Sequence, residues 1–93
     1  MTRFGTTVPG VSKKRPDLRP LGATVKRLRV ERGLSQEALD GIAGLHTNHI
    51  GGIERGERNV TLATLFKLAE ALGVAPDELL TEYRASARLW RSP

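Results

Sequence analysis

The sequence contains no cysteine, so it has neither a disulfide framework nor a thiolate metal site, and this suits a reducing cytoplasm. It has no apolar run near the ~18–20 residues that a membrane-spanning helix needs, and its start has no apolar signal-peptide centre. A glycine-rich phosphate loop and a nucleophile with a candidate base are also missing. These absences favour a soluble intracellular protein and argue against an enzyme.

Metal binding is also a poor fit to the sequence. His46 and His49 are three residues apart and would in principle share a metal ion. However, no cysteine, third histidine or suitably spaced carboxylate completes a site, so two polar residues at a helix start are the preferred interpretation. We expect no metal and no cofactor.

The charge of the 93-residue chain is concentrated at its ends. Its length suits one domain with a modest core, and its net charge of +5 suggests a polyanionic partner. Residues 1–20 carry five basic and one acidic residue, residues 21–80 seven and eight, and residues 81–93 three and one. Because the central segment is nearly neutral, a local basic face must supply any attraction for a polyanion. The candidates for that face are Lys26, Arg27, Arg55 and Arg58.

The central segment has the apolar periodicity of helices. The predicted helices are residues 21–32, 36–43, about 47–55, 62–72 and a fifth that Pro76 opens. Ser35 and Thr61 are expected to cap the second and fourth helices at their N-termini. Gly44 falls at a sharp turn between the second and third helices, and Gly73 is expected to end the fourth.

The apolar residues of these helices predict a common core. The second and third helices are expected to pack their apolar sides against each other, with Ile42 outside this contact. The residues of the contact are Leu39, Ala43, Leu45, Ile50 and Ile53. The other residues expected in the core are Leu62, Leu65, Phe66, Ala69, Leu72, Leu79 and Leu80. Two helices crossing steeply through a short turn form a helix-turn-helix unit, whose second helix enters the DNA major groove.

Residues 36–56, QEALDGIAGLHTNHIGGIERG, resemble the phage-repressor and Cro-like (XRE-type) DNA-binding domains. Within this family, GLHTNHIGGIERGERN is most similar to the restriction–modification controller proteins and their chromosomal relatives. The resemblance covers about residues 21–80. It implies an all-α fold, a five-helix repressor-like bundle containing a helix-turn-helix.

The resemblance implies that Thr47 and Asn48, and then His49, contact bases from the start of the third helix. Asparagine can make a bidentate contact to adenine, and the threonine methyl can pack on a thymine methyl. The alternative is that these residues are only the solvated side of a helix. Gly51 and Gly52 are expected on the same outer side, where position 52 would contact no base.

The resemblance also assigns phosphate contacts to polar residues at the ends of the second and third helices. These residues are Gln36, Arg55, Arg58 and Asn59. An exposed polar surface without DNA contacts stays an alternative for all four. The resemblance further implies a structural ion pair between Arg29 and Glu54. Asp40 replaces the family's usual alanine, and its carboxylate needs a donor, either free N–H groups of the third helix or the His46 ring.

Both ends of the chain are expected to extend beyond the helix-turn-helix domain of residues 21–80. Residues 1–20 predict a disordered basic arm, which either is a solvated tail or touches phosphates or a minor groove. In residues 81–93, the spacing of Tyr83, Ala87 and Trp90 favours a continued fifth helix. Trp90 then either folds back on its own domain or packs across a dimer.

The predicted function is a sequence-specific DNA-binding transcriptional regulator in the cytoplasm. It would bind a roughly palindromic operator in double-stranded DNA as a homodimer, with no membrane partner. The alternative is an antitoxin or adaptor that uses the same fold mainly to bind a protein. The near-neutral domain, the exposed Ile42 and the aromatic C-terminal stripe keep this alternative open.

Overall fold

Helices make up all the regular structure in the residues that the computed structural model describes, which are 16–45 and 49–85, the last two without their side chains. Within these residues, no helix is both long enough and apolar enough to cross a membrane. The elements are α1 (Arg19–Glu31), α2 (Gln36–Ala43), α3 (His49–Glu54), α4 (Leu62–Leu72), a 3₁₀ segment (Pro76–Leu80) and α5 (Thr81–Ala85).

Local capping fixes the ends of α2 and α4. The Ser35 hydroxyl accepts a hydrogen bond from the backbone N–H of Ala38 at 3.0 Å, and Thr61 does the same for Thr64 at 3.1 Å. At the other ends, Gly44 and Gly73 have φ values of 70° and 72°, which glycine adopts at little cost. The predicted caps and glycine stops are therefore confirmed.

A single apolar core joins α1, α2, α3, α4 and the 3₁₀ segment. Helix α1 packs against α3 and against the 3₁₀ segment, while α2 packs against α3 and α4. This arrangement buries one side of α3 and leaves the opposite side of that helix away from the core. The buried apolar residues are Leu21, Val25, Leu28, Leu39, Ala43, Ile50, Ile53, Leu65, Leu68, Ala69, Leu72 and Leu79.

Three residues expected in the core are exposed: Leu62 (65%), Phe66 (51%) and Leu80 (40%). Leu62 is the first residue of α4, and Phe66 lies about 100° around the helix from its buried neighbour Leu65. Leu80 follows the buried Leu79 in a 3₁₀ segment, where successive side chains are about 120° apart, so only one of the two faces the core. The prediction was wrong because it treated the apolar stripe as wider than the core.

The first helix begins two residues earlier than predicted, at Arg19 instead of residue 21. The Tyr83 hydroxyl donates a hydrogen bond to the carbonyl oxygen of Asp17 at 2.7 Å and accepts one from the Leu21 N–H at 3.2 Å. Tyr83 therefore ties α5 to the start of α1. Residues 1–15, together with Ala87 and Trp90, lie outside the described residues.

The element opened by Pro76 also differs from the prediction. It is a 3₁₀ segment with an α-helix after it, instead of one α-helix. The Ala75 carbonyl accepts from the Glu78 N–H at 2.9 Å, and the Glu78 carboxylate accepts from the Ala75 N–H at 2.9 Å. These reciprocal bonds three residues apart close a tight first turn, which is the 3₁₀ spacing.

Candidate nucleic-acid interface

Asp40 accepts two hydrogen bonds near the junction of α2 and α3. Its backbone carbonyl accepts from the Leu45 N–H at 2.8 Å, directly after the left-handed Gly44. Its buried carboxylate accepts from the backbone N–H of Ile50, in the first turn of α3, at 3.1 Å. The sequence left two possible donors for this carboxylate, an N–H group of the third helix or the His46 ring, and the Ile50 N–H is a donor of the first kind. The aspartate therefore links α2 to α3 by a hydrogen bond.

Asp40→Ala is expected to lower the free energy of unfolding by ~1–3 kcal/mol, because the Ile50 N–H would be buried without its acceptor. Asp40→Asn keeps a carbonyl oxygen at the same position and is expected to lose less. Urea denaturation followed by circular dichroism measures both. Equal stability of the alanine variant and the parent protein would show that the turn does not depend on this bond.

An ion pair between Arg29 and Glu54 joins the end of α1 to the end of α3. The Arg29 Nε and Nη2 atoms donate to the two Glu54 carboxylate oxygens at 2.6 and 3.1 Å, and Nη1 donates to the Leu34 carbonyl at 2.8 Å. Only 4% of the Glu54 side chain is exposed. The hydrogen-bonded carboxylate raises the pKa of Arg29 above its usual value, against the opposite effect of burial. The pair implied by the family resemblance is present.

Glu54 also holds Gln36. The Gln36 side-chain amide donates to Glu54 Oε1 at 3.0 Å, which fixes the first residue of α2 against the last residue of α3. This contact was not predicted from the sequence, which assigned Gln36 to a DNA phosphate. One carboxylate therefore orients side chains from α1 and α2 around the end of α3.

The outer side of α3 lies opposite Ile50 and Ile53, which are buried in the core. Gly51 and Gly52 lie on this outer side, as expected, but both are buried. A Cβ atom at Gly51 would lie 3.2 Å from Arg55 Nη1 and 3.4 Å from Gln36 Oε1. The outer side is therefore not bare, because neighbouring side chains fold over the two glycines.

Arg58 covers the second of these glycines. A Cβ atom at Gly52 would lie 2.8 Å from the Cγ of Arg58 and 3.0 Å from its Cδ and Nε atoms. We name the group Gln36, Arg55 and Arg58, which lies over Gly51 and Gly52, the outer cluster. The structure thus brings together three of the four residues predicted to bind phosphates. The fourth, Asn59, is exposed in the loop after Arg58.

The outer cluster has two cationic groups in different surroundings. Arg55 Nε contacts Glu57 Oε1 at 3.0 Å, and both side chains are largely exposed, so the pair is weak and easily exchanged for another anion. In the residues that the structure describes, no hydrogen bond or ion pair engages the guanidinium of Arg58. Lys26 and Arg27 are exposed on α1, where Arg27 contacts Glu31 at 3.3 Å.

Of the three residues predicted to contact bases, the structure describes one, His49 in α3. His49 is the first residue of this helix and is partly buried. Thr47 and Asn48, with His46, lie outside the described residues. The base contacts assigned to Thr47 and Asn48 therefore stay predictions.

Two helices, α2 and α3, pack together across a turn that contains the left-handed Gly44, and basic and amide side chains from neighbouring elements lie over the outer side of α3. This is the arrangement of a helix-turn-helix DNA-binding protein. The chain belongs to the helix-turn-helix family HTH_3, whose model matches residues 25–79. The XRE-type family predicted from the sequence is confirmed, and the protein is a DNA-binding transcriptional regulator.

Relatives within the family include controller proteins. The chain is 51% identical over 61 residues to the control protein C.SmaI of Serratia marcescens, with 66% of this chain and 73% of that protein covered. It is 46% identical over 66 residues to an HTH-type transcriptional regulator of Sinorhizobium fredii, with 70% and 86% covered. The solved structure of the restriction–modification controller protein C.AhdI of Aeromonas hydrophila matches with a TM-score of 0.66 and 48% identity, covering 68% of this chain and 96% of that one.

Proposed function

We propose that this protein regulates transcription in the cytoplasm by binding a roughly palindromic operator as a homodimer. Each copy places the start and the outer side of α3 in the major groove of one half-site. The observation that carries this proposal is the outer cluster: Gln36, Arg55 and Arg58 gather on the side of α3 that the core leaves uncovered. A surface of this kind can bind phosphates at the groove edges while the helix enters the groove.

The proposed contacts divide into two kinds. Thr47, Asn48 and His49 contact base edges, because recognition helices reach bases mainly through their first residues. Gln36, Arg55 and Asn59 hold phosphates and fix the register of the domain on the duplex. Arg55 would exchange its exposed contact with Glu57 for a phosphate oxygen.

Two exposed apolar residues of α4, Leu62 and Phe66, support the dimer. Apolar side chains of this size gain free energy when a second copy removes them from water. A two-fold arrangement also matches two half-sites, whose centres lie about 10 base pairs or a multiple of that apart. Analytical ultracentrifugation with and without operator DNA measures the stoichiometry, and one copy per operator would contradict the dimer.

The test of the function is selection of bound sequences from a random duplex pool. A regulator of this class is expected to enrich an inverted repeat. Its affinity should fall steeply with salt, because phosphate contacts release counterions. Enrichment of no sequence would contradict the proposal. That result would instead favour the antitoxin or adaptor alternative, which the exposed Ile42 on α2 supports.

Asn48→Ala is expected to cost ~1–3 kcal/mol of binding free energy on the selected operator and little on random DNA. The reason is that a base contact exists only on the correct sequence. Arg55→Ala is the matched comparison and should weaken binding to both DNAs, because a phosphate is present in each. Fluorescence anisotropy measures the affinities of the parent protein and both variants for the two DNAs. Equal losses on both DNAs for Asn48→Ala would remove Asn48 from base contact.

A further inference from the structure

Position 52 has no side chain of its own, yet the space that one would take is occupied. Three consecutive atoms of the Arg58 side chain lie within 3.0 Å of where a Cβ atom at Gly52 would be. The stem of Arg58 therefore runs across the outer side of α3 at this residue. Gly52 is buried as a result, while Arg58 itself remains exposed.

This position matters because of where it lies on the helix. Ile50 and Ile53 face the core, so the direction of a Cβ at position 52 is the direction away from the core. If α3 lies in the DNA major groove, a side chain that leaves the helix in that direction points toward the base edges. The stem of Arg58, which comes from the loop after α3, lies across this direction. Its guanidinium is not engaged by the other described residues, and it can extend further outward.

We propose that Arg58 contacts a base in each half-site, in place of the side chain that Gly52 lacks, and that the base is guanine. This inference rests on the proposed function, and it replaces the phosphate contact that the family resemblance implies for Arg58. Arginine donates two parallel hydrogen bonds to the O6 and N7 atoms of guanine, a pattern that no other base presents in the major groove. Gly52 is then a positioning residue, because its missing Cβ provides the path for the arginine stem.

The first experiment compares Arg58→Gln with Arg55→Gln. Both variants remove one positive charge from the outer cluster and leave a side-chain amide. Arg58→Gln is expected to reduce the preference for guanine over adenine at one position of each half-site by about tenfold or more, because glutamine pairs with adenine instead. Arg55→Gln is expected to weaken binding by a similar factor at all sequences and to leave every base preference in place. Selection from a random pool, followed by competition with single-base operator variants, measures both.

The second experiment changes no charge. Gly52→Ala places a methyl group 2.8 Å from Arg58 Cγ, so the arginine stem must leave its path. Gly52→Ala is expected to weaken the preference for guanine at the same position as Arg58→Gln does. The double variant should lose little more of this preference than either single variant. Gly51→Ala is the matched control. Its methyl would meet the ends of Gln36 and Arg55, not Arg58, so that base preference should stay.

Loss of preference at one shared position in both Arg58→Gln and Gly52→Ala supports the inference. If the parent protein selects an operator and Arg58→Gln retains its preference at every position, Arg58 contacts no base, and this inference alone is overturned. If the parent protein selects no operator, the proposed function fails and the inference fails with it. Circular dichroism of each variant confirms that it is folded, and Arg58→Gln changes only an exposed side chain.

Discussion

Adding one methyl group at Gly22 is expected to lower the free energy of unfolding by ~3 kcal/mol or more. A Cβ atom there would overlap the carbonyl oxygen of Ile53 and would lie 2.5 Å from that of Glu54. Because both oxygens belong to the backbone of α3, no side-chain rotation relieves the overlap, and α1 and α3 must move apart. Thermal denaturation followed by circular dichroism should show a Tm lower by more than ~10 °C.

Gly41→Ala is the matched control for this prediction. Gly41 also lies inside a helix, α2, but a Cβ atom there would meet nothing within 4 Å. Alanine is favoured over glycine in a helix interior by roughly 0.5–1 kcal/mol, so this variant is expected to be more stable than the parent protein. A Gly22→Ala variant that also melts at or above the parent temperature would show that α1 and α3 do not approach so closely in solution.

The parts of the fold that depend on neighbouring residues in the chain could be predicted from the sequence. Ser35 and Thr61 cap the helices that they precede, and Gly44 and Gly73 end them, because each interaction spans only three to five residues. Burial could be predicted less well. The width of the core depends on which helices pack beside α4, and the apolar pattern does not contain that information. Leu62 and Phe66 were therefore placed in the core, although the structure exposes them.

The close approach at Gly22 was not predicted, for the same kind of reason. Glycine at an early position of an amphipathic helix has no periodic pattern that distinguishes it from an ordinary helix residue. Its role appears only when the backbone of α3 lies against it. The Arg29–Glu54 pair joins residues 25 positions apart, and it was predicted only because the sequence resembles a family that has it.

The three residues of the outer cluster were named from the sequence, but their arrangement was not predicted. Gln36, Arg55 and Arg58 were named from the sequence as residues that contact DNA. Their convergence over Gly51 and Gly52 depends on the path of the loop after α3 and on the contact of Gln36 with Glu54. The sequence predicted only that the two glycines lie on the outer side and that position 52 contacts no base. In the structure they make room for side chains that come from other elements.

Glu54→Met is expected to lower the free energy of unfolding by ~3–5 kcal/mol, because it leaves the nearly buried Arg29 guanidinium without a counter-charge. Methionine fills a similar volume, so little of this loss would come from a cavity. The double variant with Arg29→Met should recover much of the stability, since a buried ion pair is often no more stabilising than apolar residues of similar size. Urea denaturation of the parent protein and the three variants closes a double-mutant cycle.

The exposed pair of Arg27 and Glu31 provides the internal comparison for this cycle. It joins the same two residue types at 3.3 Å on the surface of α1, with more than half of each side chain exposed. Glu31→Met is therefore expected to cost less than ~1 kcal/mol, because water solvates the arginine that remains. A loss for Glu54→Met no larger than for Glu31→Met would mean that water reaches Arg29 as well. In that case Glu54 would not be what holds α1 and α2 around the end of α3.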